Sequence, residues 1–100
     1  IIDTPEKRKE LIKYLLLQKE LCFDTETTST DAIAAELVGI SFCYHKTEAF
    51  YIPVPSERSE AQKIVDDFKQ VFENEDTTKI GHNIKYDILV LKNYGVEVKG

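Results

Sequence analysis

Two carboxylates stand two positions apart in the stretch CFDTETTST, residues 22–30, which follows an apolar run. On a strand, Asp24 and Glu26 point to the same side, because alternate residues of a strand share a face. Ionised carboxylates at that spacing repel each other, and a hard divalent cation that prefers oxygen ligands, Mg²⁺ or Mn²⁺, would relieve the repulsion. Isolated D-x-E pairs are also common on surfaces, with the Asp capping a turn and the Glu solvated. The pair alone leaves both interpretations open.

A second polar group occurs in the stretch IGHNIKYD, residues 80–87. Asn83 and Asp87 lie four positions apart, so a helix that begins here places them on one face near its N-terminal end. Asn83 suits the N-cap position, and the helix dipole favours an acid such as Asp87 in the first turn. Each residue therefore has a local explanation by itself, and it is the two groups together that indicate chemistry.

These residues need elements that position them, and the pattern of apolar residues predicts a helix first. Thr4 is the predicted N-cap and Pro5 the first helical residue. One face of this helix carries an apolar stripe made of Leu11, Ile12, Leu15 and Leu16. Three strands of an antiparallel meander follow, over ELCFDTE, ELVGISFCY and AFYIPV. In the second strand, alternation predicts a shared face for Val38, Ile40, Phe42 and Tyr44.

The second half of the chain continues the alternation of helix and strand. Ser59 and Gln62 form a capping-box pattern ahead of a second amphipathic helix. The stretch KIGHN predicts a brief strand or turn, and IKYDILVLKNY predicts a third helix that Gly95 stops. The order of elements is typical of an α/β fold.

Composition narrows the class of protein. With 100 residues and 42% apolar residues, the chain is one domain at most. It lacks both a run of about 20 apolar residues and a signal peptide, which predicts a cytoplasmic protein with no membrane partner. The net charge of −5 counts against nucleic-acid binding by this chain alone. Cys22 and Cys43 occur in apolar runs, which predicts buried free thiols.

Several of these stretches carry a family resemblance. FDTETTS, LVGISF and YIPV, followed by IGHNIKYDILVLKNYGVEVKG, closely resemble the first and second exonuclease motifs of bacterial family A DNA polymerases. The resemblance spans residues 20 to 100 and implies a proofreading 3′-to-5′ exonuclease of the DEDD superfamily. It also implies a ribonuclease-H-like fold with a three-stranded antiparallel meander, a further strand and flanking helices.

The resemblance implies roles for seven residues. The positions implied to be catalytic and to bind metal are Asp24, Glu26 and Asp87. The positions implied to bind the 3′ end of the substrate are Thr27, Thr30, Asn83 and Tyr86. Thr30 stands where the family usually has Leu, and His82 where it usually has Gln. The implied cofactors are Mg²⁺ or Mn²⁺, two ions in the complete domain.

The third motif of the family, Y-x-x-x-D, has no counterpart after Asp87. The chain also has no methionine and stops at Gly100, soon after the segment GVEVKG begins. We therefore expect residues 1–100 to be a truncated part of the domain, inactive when isolated. The expected partners are a single-stranded or frayed DNA 3′ end and a polymerase domain of the same parent chain.

Two other functions stay open at this point. A stand-alone exoribonuclease of the ribonuclease D kind shares the D-x-E and N-x-x-x-D patterns, although the run NIKYDILVLKNYG favours the polymerase. A non-catalytic domain on the same fold is the alternative of another class, and the retention of all three acids argues against it.

Overall fold

The computed structural model describes residues 1–28, 35–45 and 48–100, except for the side chain of His45. Within these residues the elements follow the predicted order. They are α1 (Pro5–Leu16), β1 (Glu20–Thr27), β2 (Leu37–His45), β3 (Glu48–Pro53), α2 (Arg58–Phe72), β4 (Thr78–Ile80) and α3 (Ile84–Lys92). No helix in the described part of the chain is long and apolar enough to cross a membrane.

The described strands form one four-stranded sheet in the order β3-β2-β1-β4. β2 is antiparallel to both β1 and β3, which confirms the predicted meander. β4 pairs with β1 in the parallel direction, with Leu21 opposite Lys79. β1 therefore lies inside the sheet, with a hydrogen-bonded neighbour on each side.

One face of the sheet packs against the helices to form the core. From β1, Leu21 and Phe23 are buried. The ring of Phe72 lies 5.1 Å from that of Phe23 and 5.4 Å from that of Phe42, which also stacks on Phe68 at 5.2 Å. Buried aromatic side chains like these are each worth about 3–5 kcal/mol against truncation to alanine. This packing makes β1 a rigid support for the polar residues at its end.

A bulge interrupts the pairing of β1 and β2 beside the D-x-E pair. Glu26 faces Gly39 and Thr27 faces Leu37, so Val38 is an extra residue on β2. Val38 is 40% exposed and Leu37 only 2% exposed. The prediction that Val38 shares one face with Ile40, Phe42 and Tyr44 is therefore wrong for Val38, because the bulge shifts the alternation by one residue.

The predicted burial of the two cysteines is also wrong. Cys22 is exposed and Cys43 is half-buried, and the two face each other across β1 and β2. Cys22 alternates with the buried residues Leu21 and Phe23, so its side chain lies on the outer face of the sheet. Within the described residues these two thiols do not form a disulfide, as predicted.

The start of α2 differs from the predicted capping box. Glu57 is the N-cap, and its carboxylate accepts hydrogen bonds from the backbone N–H groups of Ser59 at 3.2 Å and Glu60 at 3.0 Å. Gln62 instead donates to the carbonyl oxygen of Tyr94 at 2.7 Å. A carboxylate two residues earlier reaches the first N–H groups of the helix, so Ser59 lies inside the helix rather than at its cap.

The C-terminal end of α3 is held by residues of β2 and α2. The hydroxyl oxygen of Tyr94 accepts a hydrogen bond from the N–H of Leu37 at 3.0 Å, next to the bulge. The guanidinium carbon of Arg58 lies 3.9 Å from the centre of the Tyr94 ring. Gly95 then takes a φ of +77°, which favours glycine and ends the helix as predicted. These contacts fix how α3 lies beside β1.

Candidate active site

The polar end of β1 divides its side chains between two sides of the strand. Asp24 and Glu26 are exposed, and Thr25 and Thr27, which alternate with them, are half-buried. The two threonines continue the side that carries Leu21 and Phe23, and they contact α3. A single run of four residues therefore presents two acids outward and two hydroxyl groups toward the helix.

Asp87 is buried on the first turn of α3, with 3% of its surface exposed. The hydroxyl of Thr25 donates to Oδ1 of Asp87 at 2.6 Å, and the N–H of Thr25 donates to the same oxygen at 3.4 Å. Oδ2 of Asp87 is buried and has no hydrogen-bond partner in the described part of the chain. Buried carboxylate oxygens are usually paired, so this oxygen marks a place where a ligand could bind.

The environment of Asp87 opposes its ionisation. Burial raises the pKa of the Asp87 carboxyl above its ordinary value, and the hydrogen bonds from Thr25 act in the other direction. The negative charges of Asp24 and Glu26 raise this pKa further. The three acids predicted to bind metal therefore interact electrostatically, although Asp87 lies on another element.

Two residues predicted to bind substrate are also brought together. The hydroxyl oxygens of Thr27 and Tyr86 are 2.6 Å apart, which makes a second hydrogen bond between β1 and α3. Asn83 is exposed at the N-cap position as predicted, but its side chain makes no capping hydrogen bond. Thr30 lies outside the described residues. The substrate-binding roles of all four residues stay predictions.

Sequence reasoning missed two residues that surround the carboxylate of Asp87. One is Thr25, whose position between the two acids of the D-x-E pair indicates that it faces the helix. The other is Gly81, where a Cβ atom would lie 3.5 Å from Oδ2 of Asp87 and 3.3 Å from the carbonyl oxygen of Phe23. Gly81 therefore lies directly beside Oδ2 with no side chain of its own, which no pattern in the sequence indicates.

The donor atoms of this site suit a hard divalent cation. The unpartnered Oδ2 of Asp87 and the carboxylates of Asp24 and Glu26 are all oxygen donors. Among the described residues, however, no three acidic, histidine or cysteine side chains are grouped closely enough to hold an ion as they stand. Asp24 and Glu26 are exposed, so their side chains can change rotamer, whereas Asp87 is fixed.

Comparison with known proteins identifies the family. A model of the family A DNA polymerase exonuclease, described as 3′-5′ exonuclease, matches residues 1–100. DNA polymerase I of Borreliella burgdorferi is 36% identical over 97 residues, which cover 94% of this chain and 11% of that protein. DNA polymerase I of Pseudomonas aeruginosa is 38% identical over 79 residues, covering 73% and 9%. The chain thus spans about a tenth of the length of these relatives.

Solved structures show the same fold. RNase D of Trypanosoma brucei, in a complex with RNA U12, matches with a TM-score of 0.81 at 22% identity, over 99% of this chain and 35% of that one. RNase D of Escherichia coli matches with a TM-score of 0.64 at 19% identity, over 90% and 22%. These likenesses confirm the predicted ribonuclease-H-like α/β fold. The chain belongs to the 3′-5′ exonuclease family of family A DNA polymerases, whose members use divalent metal ions.

Proposed function

We propose that this chain forms part of a hydrolytic exonuclease that removes nucleotides from single-stranded or frayed 3′ ends of DNA. The observation that carries the proposal is the buried, unpartnered Oδ2 of Asp87, whose carboxyl is coupled to the charges of Asp24 and Glu26. Keeping such a group costs stability, and a domain retains it when a ligand uses the oxygen.

In this proposal Asp24, Glu26 and Asp87 are the catalytic residues and hold Mg²⁺ or Mn²⁺, two ions in the complete domain. Bound divalent ions supply an activated water and stabilise the charge that develops on the phosphate during displacement. Asp87 contributes a fixed oxygen, because Thr25 and the surrounding core hold its side chain. Asp24 and Glu26 contribute exposed carboxylates whose charges act on that of Asp87.

The proposed substrate-binding residues lie on the same two elements. The bond between Thr27 and Tyr86 fixes the tyrosine ring beside β1, where it can pack against a terminal sugar or base. The exposed amide of Asn83, which does not cap α3, can donate to a phosphate or sugar oxygen. Thr30 is proposed as a fourth contact from its position in the motif alone.

DNA is favoured over RNA by the sequence relatives. The DNA polymerase I proteins are 31–38% identical to this chain, and the RNase D structure of Trypanosoma brucei is 22% identical. We place the activity in a protein that also carries a polymerase domain, which would supply DNA affinity that an acidic chain lacks. The compartment that we expect is the cytoplasm.

The test compares labelled single-stranded DNA and RNA of one sequence, incubated with Mn²⁺ and the longer protein that contains this chain. We expect trimming of the DNA from its 3′ end and slower trimming of the RNA. Asp24→Ala, Glu26→Ala and Asp87→Ala should each remove the activity, whereas the control Asp66→Ala, an exposed acid on α2, should not. A preference for RNA would support the ribonuclease D alternative, and activity that survives all three substitutions would refute the site.

The 100-residue chain by itself provides a second test. We expect it to show no exonuclease activity even with saturating Mn²⁺, because the acid and tyrosine of the third motif would share in holding the ions and aiming the water. A labelled oligonucleotide trimmed by this chain at the rate of the longer protein, with the activity lost on Glu26→Ala, would show that the third motif is dispensable.

A further inference from the structure

We propose that Thr25 is a positioning residue of this site: its hydroxyl holds Oδ1 of Asp87 and thereby sets the direction of Oδ2, the buried oxygen that lies beside Gly81. The proposal presupposes the exonuclease function given above. It assigns to the middle residue of the D-T-E stretch a role different from that of the two acids on either side.

The position of Thr25 follows from the alternation of β1. Asp24 and Glu26 are exposed on one side of the strand, and Thr25 lies between them on the side that contacts α3. Three consecutive residues thus supply two outward carboxylates and a donor to a third carboxylate on another element. Because threonine is β-branched and lies in a strand, its χ1 angle is restricted, so the hydroxyl points in a fixed direction.

Both donors of Thr25 converge on one oxygen of Asp87. The hydroxyl lies 2.6 Å from Oδ1, a distance typical of a hydrogen bond to an ionised carboxylate, and the N–H lies 3.4 Å from the same atom. Oδ2 has no such partner in the residues that the structure describes. The two oxygens of a carboxylate are chemically equivalent, so it is the contact with Thr25 that makes them different.

Without the hydroxyl, the plane of this carboxylate would be poorly fixed. The χ2 angle of aspartate has a broad, two-fold profile, so only contacts define it. On the Oδ2 side Gly81 offers no side chain, and a Cβ there would come within 3.5 Å of Oδ2. The hydroxyl of Thr25 is thus the short contact that sets the direction of Oδ2.

The experiment separates the hydroxyl from the shape of the side chain. Thr25→Val keeps the shape and removes the donor, whereas Thr25→Ser keeps the donor and removes a methyl group. Groups that orient metal-binding side chains commonly change metal affinity or activity by about 10–100-fold when they are removed. We therefore expect Thr25→Val to weaken Mn²⁺ binding and to lower kcat by about 10–100-fold, with little change in KM for the oligonucleotide. Thr25→Ser should restore most of both.

The measurements are Mn²⁺ titration calorimetry and steady-state kinetics on the longer protein that contains this chain. Thr78→Val, which changes an exposed threonine at the start of β4, is the matched control and should alter neither quantity. Urea unfolding of each variant shows whether it is folded. If Thr25→Val does not fold, Thr25→Ala removes the same donor without adding a methyl group against Asp87, and the same losses are expected.

Two results would overturn the proposal. One is a folded Thr25→Val protein with unchanged Mn²⁺ affinity and kcat, and the other is an equal loss for the valine and serine variants, which would implicate packing. Asp87→Asn distinguishes this failure from failure of the proposed function. If Asp87→Asn removes activity but Thr25→Val does not, only the role of Thr25 is wrong, and if Asp87→Asn is fully active, the site itself is wrong.

Discussion

Two acidic side chains near the starts of helices behave in opposite ways. At the start of α2, the exposed carboxylate of Glu57 accepts hydrogen bonds from two backbone N–H groups and from the hydroxyl of Ser59. The Ser59 hydroxyl and these N–H groups lower the pKa of Glu57. At the start of α3, Asp87 is buried, one of its oxygens has no partner in the described residues, and burial raises its pKa.

The comparison shows one carboxylate whose charge stabilises the fold, Glu57, and one whose charge destabilises it, Asp87. The ionised carboxylate of Glu57 accepts hydrogen bonds from N–H groups that the first turn of α2 leaves unpaired, and it thereby stabilises the helix. Asp87 also accepts hydrogen bonds from Thr25, but only on Oδ1, and an unpaired buried polar atom such as its Oδ2 costs about 1–3 kcal/mol. A carboxylate kept at such a cost is best explained by binding, and three substitutions can test the contrast.

The largest expected effect is on activity. In the longer protein, Asp87→Asn should lower the rate of 3′ trimming by about a thousandfold or more, because the loss of one metal-binding oxygen removes several kcal/mol of transition-state stabilisation. Glu57→Gln should leave the rate within about twofold, since this residue lies on another helix. Single-turnover rates on a labelled oligonucleotide measure both. Equal losses for the two variants would show that activity depends on folding alone.

The second effect is on stability, and it has the opposite sign. Without metal ions at pH 7, Asp87→Asn should raise the free energy of unfolding, because it removes a buried charge and keeps an oxygen that can accept from Thr25. Because the pKa of Asp87 is raised from 3.8 in the folded state, its carboxyl does not lower stability below pH 3.8, where it is protonated in both states. Its destabilising effect grows as pH rises from there through the pKa of the folded state. The gain should therefore shrink in acid.

Urea unfolding of the wild type and the Asn variant between pH 3 and pH 7 measures this difference. Saturating Mn²⁺ should stabilise the wild type but not the variant, because binding to the folded state alone shifts the unfolding equilibrium. A variant that is less stable than the wild type at pH 7 without metal would contradict the view that the charge of Asp87 destabilises the fold.

Glu57→Gln should have a smaller effect on stability, with the ordinary sign for a paired acid. The variant should lower the urea midpoint at pH 7, because a neutral amide is a weaker acceptor for the N–H groups of α2. The pKa of Glu57 is lowered from 4.5, so its contribution is present above that value and is lost as pH falls through the folded value. Convergence of the two midpoints in acid is the expected result.

The smallest effect is expected at the N-cap of α3. Asn83→Ala should change the free energy of unfolding by only a few tenths of a kcal/mol, below the ~1 kcal/mol typical of an N-cap, because its side chain makes no capping bond. The same variant should raise KM for the oligonucleotide in the longer protein. A loss as large as that of Glu57→Gln, with KM unchanged, would assign Asn83 to the fold instead.

The sequence predicted the elements and their order because strong local signals agree with the packing. Thr4 caps α1 through the N–H of Lys7 at 3.2 Å, and Leu11, Ile12 and Leu15 are buried as their spacing predicts. The alternation of β1 is also correct, which places Asp24 and Glu26 on one side. The family resemblance, given for residues 20 to 100, was confirmed, and the family model matches residues 1–100.

What the sequence could not predict depends on contacts between distant segments. The bulge at Val38 comes from how β2 pairs with β1, and alternation within β2 does not contain it. From the sequence, Asp87 could equally be a solvated acid in the first turn of α3. It is buried because α3 packs against β1. The role of Glu57 was missed because the capping-box pattern of Ser59 and Gln62 offered a nearby competitor.

The parallel pairing of β4 with β1 has a consequence for how the site forms during folding. β1 and β2 are consecutive strands, so the strand that carries Asp24 and Glu26 can pair with β2 as a hairpin. Asp87 follows β4 in the chain, and β4, a strand of three residues, pairs with the distant residues Glu20–Cys22. We expect Asp87 to reach its place beside β1 only when this pairing has formed. Closing that long loop is entropically slow. We therefore expect the metal site to form late in folding. Refolding monitored by Mn²⁺ quenching of an attached fluorophore should show binding after the β1–β2 hairpin has formed.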